Sequence, residues 1–268
     1  MSGEVIIAVA PNGARKTKED HENIPLTSLE LAQSAKDCIN AGASMIHLHV
    51  RNSDYSHSLS TELYKQAIDE INQHNIFIQV TSESVDMYSA EEQFEMIHTL
   101  KPKAVSIGLR EIQGLDESTI NTHFQRMKTS NTHPQIILYN EYDLNTYHHW
   151  LEKKVLPGKA YPVLFVIGKE TSQGSFTNNF FIKENIKTLR VSSWMICAFG
   201  TNEFTAAKLA VNLGGHVRIG FENNSILDDG TDAIDNAALV KQMHQYLIDN
   251  GFKNANVSQT DYLMTPDW

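Results

Sequence analysis

The sequence predicts a (β/α)₈ barrel that occupies residues 1–268 as one domain. Three observations support this fold. Short apolar runs alternate eight times with longer amphipathic runs, the length of 268 residues suits eight such units, and no glycine-rich nucleotide loop follows any apolar run. An open, doubly wound sheet is the alternative, because counting strand–helix units does not prove that the sheet closes.

The predicted strands are short, rich in Val, Ile and Phe, and bounded by Gly, Pro, Ser or Asn. These features are typical of buried parallel strands. In chain order the strands are EVIIAVAP, SMIHLHVR, IFIQVTS, AVSIGL, QIILYN, PVLFVIG, SWMICAFG and GHVRIGFE.

The predicted helices lie between these strands. The first, TSLELAQSAKDCINAG, begins with Thr27 or Ser28 as its cap and ends at Gly42. In SAEEQFEMIHTLKP, Ser89 is followed three residues later by Glu92, which predicts a capping box. The others are STELYKQAIDEINQHN, DESTINTHFQRMKTS, LNTYHHWLEKKVL, NNFFIKENIKTL, NEFTAAKLAVNLGG and AIDNAALVKQMHQYLIDNG.

Composition narrows the class of partner. A formal net charge of −10 argues against nucleic acid or an anionic membrane as the main partner. The opening MSGEVIIAVAPNG lacks the features of a signal peptide, and no window is apolar enough to span a membrane, so we expect a cytoplasmic protein. Cys38 and Cys197 lie far apart in apolar contexts, which favours reduced core thiols over a disulfide.

Two histidines in the second predicted strand indicate a metal site. His47 and His49 are two residues apart, so both side chains point to the same face. Glu222 ends the predicted eighth strand, which neighbours the first strand in a closed barrel and thus lies near the second. Two imidazoles and one carboxylate suit a divalent ion that acts as a Lewis acid on a carbonyl. His216 opens the eighth strand at the opposite face, where we expect a structural role.

Three stretches resemble the β-keto acid cleavage enzyme family, which includes the 3-keto-5-aminohexanoate cleavage enzymes. They are AGASMIHLHVR, GGHVRIGFENN and VAPNGARKTKED. The resemblance implies a (β/α)₈ barrel, a homotetramer and one bound zinc ion. It also implies a reaction in which a β-keto acid and acetyl-CoA give acetoacetate and a new acyl-CoA, so the expected partners are these two small molecules.

The resemblance also implies roles for particular residues. His47, His49 and Glu222 correspond to the zinc ligands, and Arg218 corresponds to the arginine that orients a catalytic carboxylate. Arg218 and Glu222 are four residues apart, so the strand's period of two lets both side chains face inward.

The third and fourth strands end in hydroxyl side chains that match substrate-binding positions of the family. Thr81 and Ser106 correspond to hydroxyls that hold the carboxylate or the reacting oxygen of the keto acid, and Ser82 lies beside Thr81 on the same rim. Arg15 lies where the aminohexanoate enzymes carry a glutamate, which favours a substrate with a distal anion. A solvated loop arginine is the alternative for Arg15.

The chain differs from the family pattern in three motifs that affect the expected chemistry. The family's E-D-N reads Glu222-Asn223-Asn224, so an amide replaces the carboxylate assigned to proton abstraction. The family's S-T-G-G and G-x-G-R-H stretches read TSES and FGTNEF. We therefore expect weak activity on simple β-keto acids, an Arg218 freed to hold a substrate carboxylate, and a gain of about tenfold in Asn223→Asp. Glu83 is the candidate replacement base.

Two other functions remain open from the sequence. One is a metal-dependent lyase or hydrolase that works without coenzyme A, and the other is a catalytically silent barrel that binds a small anion. Turnover separates them from the acyltransferase, because only the acyltransferase requires acetyl-CoA to form acetoacetate.

Overall fold

A computed structural model describes residues 3–169 and 189–268. Eight parallel strands close into a barrel, and each pairs with its neighbours in chain order, which confirms the predicted fold. The strands are β1 Ile7–Val9, β2 Met45–Leu48, β3 Phe77–Thr81, β4 Ala104–Gly108, β5 His133–Leu138, β6 Tyr161–Ile167, β7 Val191–Ala198 and β8 His216–Ile219.

Helices follow the strands on the outside of the barrel. They are α1 Ser28–Ala41, α2 Thr61–Ile71, α3 Ala90–Leu100, α4 Glu117–Ser130, α5 Glu141–Glu152, α6 Glu203–Asn212, α7 Asn236–Asp249 and α8 Val257–Leu263. The predicted helix NNFFIKENIKTL falls, through residues 178–188, outside the described residues.

The caps of α1 and α3 form as predicted. Thr27 accepts a hydrogen bond from the Glu30 backbone in a capping box, and Gly42 ends α1 with a left-handed φ of 116°. Ser89 and Glu92 form the capping box of α3. The helix α5 starts earlier than predicted, at Glu141, because the Asn140 side chain caps it.

The eighth strand ends before its predicted boundary. The prediction ran through Glu222, but β8 stops at Ile219 because Gly220 adopts a φ of 137° and turns the chain. A Cβ at Gly220 would lie 2.5 Å from the Ala10 carbonyl oxygen, so the close approach of these two segments requires glycine.

Apolar side chains fill both sides of the barrel wall. Met45 belongs to the cluster inside the barrel, whereas Ile46 and Leu48 pack with the helices outside. Cys38 and Cys197 are both buried and free, as predicted. Within residues 3–169 and 189–268, no helix combines the length and apolarity that crossing a bilayer requires.

Candidate metal centre and active site

His47, His49 and Glu222 converge at the carboxyl end of the barrel. The Nε2 atoms of the two histidines are 3.2 Å apart. Glu222 Oε2 lies 3.8 Å from Nε2 of His47 and 3.7 Å from Nε2 of His49. Ligand atoms about 2.0–2.1 Å from a tetrahedral zinc ion stand roughly 3.3 Å from one another, so the three groups need little movement to share one ion.

The His47 ring is held in the tautomer that metal binding requires, and both histidine rings are neutral. Nδ1 of His47 lies 2.9 Å from Gln79 Oε1, an atom that only accepts, so Nδ1 carries the proton and Nε2 keeps its lone pair. Gln79 in turn donates to Gln135 Oε1 at 3.0 Å. Burial lowers the pKa of His47 to about 4 and that of His49 well below its usual value, so both rings are neutral at pH 7.

Arg218 stands directly behind the carboxylate. Its Nη2 donates to Glu222 Oε1 at 3.2 Å. Burial opposes the ionisation of Glu222, but Arg218 acts together with His47, Lys169 and Lys16, and their combined effect lowers the pKa of the carboxyl group. We expected Glu222 to face inward as part of the eighth strand. This expectation is wrong, because Glu222 lies beyond β8, in the turn that begins at Gly220. Arg218 is also not wholly free as expected, because its Nη2 pairs with Glu222, whereas its Nε and Nη1 have no hydrogen-bond partner among the described residues.

A small cavity lies beside this cluster and includes His47, Arg218 and Glu222 in its wall. The rest of the wall includes Thr81, Glu83, Tyr139, Lys169 and Phe199. A much larger groove lies at the amino end of β3 and β4. That groove is distant from the histidines, so the chemistry points to the smaller cavity.

The hydroxyl groups of Thr81, Ser82 and Ser106 differ in their access to the cavity. Thr81 lines the cavity, and its Oγ1 accepts from the Glu83 backbone at 3.0 Å and from Ser106 Oγ at 3.4 Å. Ser82 points to the backbone, because its hydroxyl donates to the Ser106 carbonyl at 3.0 Å. Thr81 is therefore available to a ligand, whereas Ser106 and Ser82 support the rim.

Glu83 lies between two cations. Its Oε1 is 3.0 Å from Lys169 Nζ and 3.4 Å from Arg15 Nη1. Burial works against the charged form, but Lys169 and its neighbours lower the pKa of Glu83 to about 2. Glu83 is an anion and a weak base in this arrangement. Arg15 has 57% of its side chain exposed, so it reaches the cavity only through Glu83.

Lys169 was not predicted from the sequence. It follows β6 by two residues, and its Nζ lies 5.5 Å from the centroid of the Tyr139 ring and 5.6 Å from that of Phe199. The sequence feature that could have indicated Lys169 is a single cation at the carboxyl end of a predicted strand, where the active sites of barrels lie.

Two carboxyl groups with raised pKa values were also missed, the half-buried Glu111 and the buried Glu203. Glu111 accepts from the backbone and the hydroxyl of Ser84, and burial together with Glu83 raises its pKa to about 7. Glu203 begins α6, and burial raises its pKa to about 8. Both residues look like ordinary charged positions in the sequence.

Asn223 lies on the far side of the turn. Its Nδ2 donates to Glu203 Oε1 at 3.3 Å and to the Arg218 carbonyl at 3.1 Å. An aspartate at position 223 would place a carboxylate against Glu203, and two carboxylates at such a distance cannot both ionise readily. We therefore expect no gain in the rate of acetoacetate formation from Asn223→Asp alone.

Known proteins resemble this chain along most of its length. The model of the β-keto acid cleavage enzyme family matches residues 4–264. A 3-keto-5-aminohexanoate cleavage enzyme of Fusobacterium nucleatum is 31% identical over 251 residues, 91% of each chain. A 3-oxoadipate:acetyl-CoA acetyltransferase of Cupriavidus necator is 27% identical over 279 residues, 98% of this chain and 95% of that protein.

A solved structure supports the fold. The structure of apo ObcA aligns with a TM-score of 0.75 at 13% identity, covering 92% of this chain and 66% of that protein. The likeness between these two barrels is therefore one of fold. The family assignment rests on the family-model match over residues 4–264 and on the 31% identity to the Fusobacterium nucleatum enzyme. On these grounds the chain belongs to the β-keto acid cleavage enzyme family.

Proposed function

We propose that this protein is a zinc-dependent acyltransferase that condenses a β-keto acid with acetyl-CoA. The acetyl group joins the two-carbon acid fragment to form acetoacetate, and the remaining acyl group leaves on coenzyme A. The observation that carries the proposal is the convergence of His47, His49 and Glu222 at the end of the barrel where such enzymes do chemistry. The names of the relatives support the choice of co-substrate.

The donor set fits a zinc ion. Two neutral imidazole nitrogens and one carboxylate oxygen are ligands that catalytic zinc prefers, with further positions left for substrate. Glu222 Oε2 is buried without a hydrogen-bond partner among the described residues, as expected of an atom reserved for a cation. When bound, the ion would polarise the keto group as a Lewis acid.

The chain's own residues would orient the keto acid. Arg218 Nε and Nη1 are buried and have no hydrogen-bond partner within the described ranges, so they can donate to a substrate carboxylate. The Thr81 hydroxyl offers another donor from the opposite wall. Glu83 would take up a proton when an incoming anion draws Lys169 away, because the loss of that cation raises the pKa of the carboxyl group.

The charges around the cavity favour a substrate with an anionic distal group. Arg15 and Lys169 face one carboxylate, Glu83, so this pair leaves an excess of one positive charge, while Arg218 is balanced by Glu222. We expect kcat/KM with acetyl-CoA to be at least about tenfold higher for 3-oxoadipate than for 3-keto-5-aminohexanoate, a difference of about 1.4 kcal/mol.

Steady-state acetoacetate formation measures this preference. Arg15→Glu should shift the preference toward the amino substrate, while Arg15→Gln should only weaken it. A wild-type preference for the amino substrate contradicts the charge argument. Loss of either keto acid without acetyl-CoA favours the lyase or hydrolase, and a metal-bound protein inert on both favours the silent barrel.

A further inference from the structure

The turn that carries Glu222 has little regular structure of its own. It runs from Gly220, whose φ is 137°, to Asn224, and the backbone N–H groups of Asn223 and Asn224 both donate to the Gly220 carbonyl, at 2.8 and 3.0 Å. Such a short turn fixes a side chain only if its own polar groups are held from outside.

Glu203 supplies that support from the first residue of α6. Its Oε1 accepts from the Gly220 backbone at 3.1 Å and from Asn223 Nδ2 at 3.3 Å. Its Oε2 accepts from Asn224 Nδ2 at 3.3 Å. One carboxyl group thus gathers three donors from both ends of the turn, with Glu222 between them.

The burial of Glu203 makes these contacts costly to lose. The residue is only 3% exposed, and it does not line the cavity beside the histidines. A buried donor that loses its acceptor destabilises the fold, because no water replaces the lost hydrogen bond. The three donors therefore help to define where the turn lies, together with the bonds from Glu222 N–H to the Ala10 carbonyl and from Phe221 N–H to Asn236 Oδ1.

The same contacts explain the amide at position 223. Asn223 Nδ2 points at two acceptors, Glu203 Oε1 and the Arg218 carbonyl. A carboxylate there would offer no donor to either of them. The identity of residue 223 is thus set by Glu203 behind it, on the side of the turn away from substrate.

We propose that Glu203 is the positioning residue of the metal ligand Glu222, and that Glu203 and Asn223 work as a carboxylate–amide pair in which each residue determines the other. The inference rests on the proposed metal centre. Glu203→Gln sets two amides against each other, and Asn223→Asp sets two carboxyl groups against each other, of which only one can ionise readily. The double variant restores one of each.

A double-mutant cycle on metal affinity tests this pair. The zinc dissociation constant is measured by chelator competition for wild type, Glu203→Gln, Asn223→Asp and the double variant, with thermal unfolding as a check on the fold. Each single change should weaken zinc binding about 10–100-fold, as losses of groups that orient a ligand do. The double variant should bind about tenfold more tightly than the product of the two losses predicts.

Cobalt substitution and a matched control separate positioning from stability. The visible spectrum of the Co²⁺ form should change in Glu203→Gln, because the Glu222 ligand shifts. Glu111→Gln removes a half-buried carboxyl group that also has a raised pKa but contacts the loop after β3, not the metal turn. Its zinc affinity should stay within about twofold of wild type, since the Glu111 carboxyl group accepts from Ser84 and not from the metal turn.

The outcomes distinguish this inference from the proposed function. A wild-type protein that takes up no ion contradicts the metal centre itself. A wild-type protein that binds zinc, with a Glu203→Gln form of unchanged affinity and cobalt spectrum, contradicts the positioning role even if the melting temperature falls. Should Glu203→Gln not fold, Asn223→Asp still decides, because an unchanged zinc affinity there overturns the pairing.

Discussion

His49→Ala is expected to remove the metal ion from the protein. The wild type should hold about one divalent ion per chain, and the variant should retain less than about a tenth of that after dialysis. The reason is geometric, because His49 Nε2 lies within 3.7 Å of both other ligand groups, and only one imidazole and one carboxylate remain without it. Elemental analysis of both proteins measures the difference, and acetoacetate formation should disappear with the ion.

His216→Gln is the matched control for this experiment. His216 is also a buried histidine of a barrel strand, but its Nδ1 accepts from the Ile6 backbone at the amino end. A glutamine oxygen can take that role, so the metal content should stay at the wild-type level. Equal metal in wild type and His49→Ala would contradict the ligand assignment.

Arg218→Lys is expected to reduce kcat/KM for the preferred keto acid about 10²-fold. A lysine ammonium can pair with Glu222, but it cannot also present the two donors, Nε and Nη1, that Arg218 leaves without partners among the described residues. A hydrogen bond to a charged group contributes about 1.5–3 kcal/mol, which matches a loss of this size.

Metal content and kinetics, measured together, show what Arg218→Lys changes. Arg218→Lys should keep its ion, because the Glu222 carboxylate still has a cation beside it, and the loss should appear in KM as well as kcat. A kcat/KM within about threefold of wild type would show that the substrate carboxylate binds elsewhere, with Lys169 as the next residue to change.

Local rules predicted much of the scaffold because the relevant signals lie close together in the chain. Thr27 and Glu30, or Ser89 and Glu92, are three residues apart and make their contacts within one helical turn. The pairing of His47 with His49 followed from strand alternation in the same way. The predicted boundary at Glu222 was too late because Gly220 turns the chain where a strand pattern continues.

The surroundings of the site depend on contacts between distant segments. Lys169 meets Glu83 across 86 residues of sequence, and Glu203 meets Asn223 across 20. Neither spacing has a periodicity that a strand or helix would impose. The consequence for Asn223 was therefore misjudged from the sequence, where it looked like a lost base, whereas in the structure it is the partner of a buried carboxyl group.

Transfer of an isotopic label tests the proposed reaction most directly. Metal-loaded protein is incubated with 3-oxoadipate and acetyl-CoA labelled in the acetyl group, and the products are analysed by mass spectrometry. The proposal predicts that the label appears in acetoacetate and that the new acyl-CoA is unlabelled. Consumption of the keto acid with the label remaining in acetyl-CoA, or released as acetate, would contradict it.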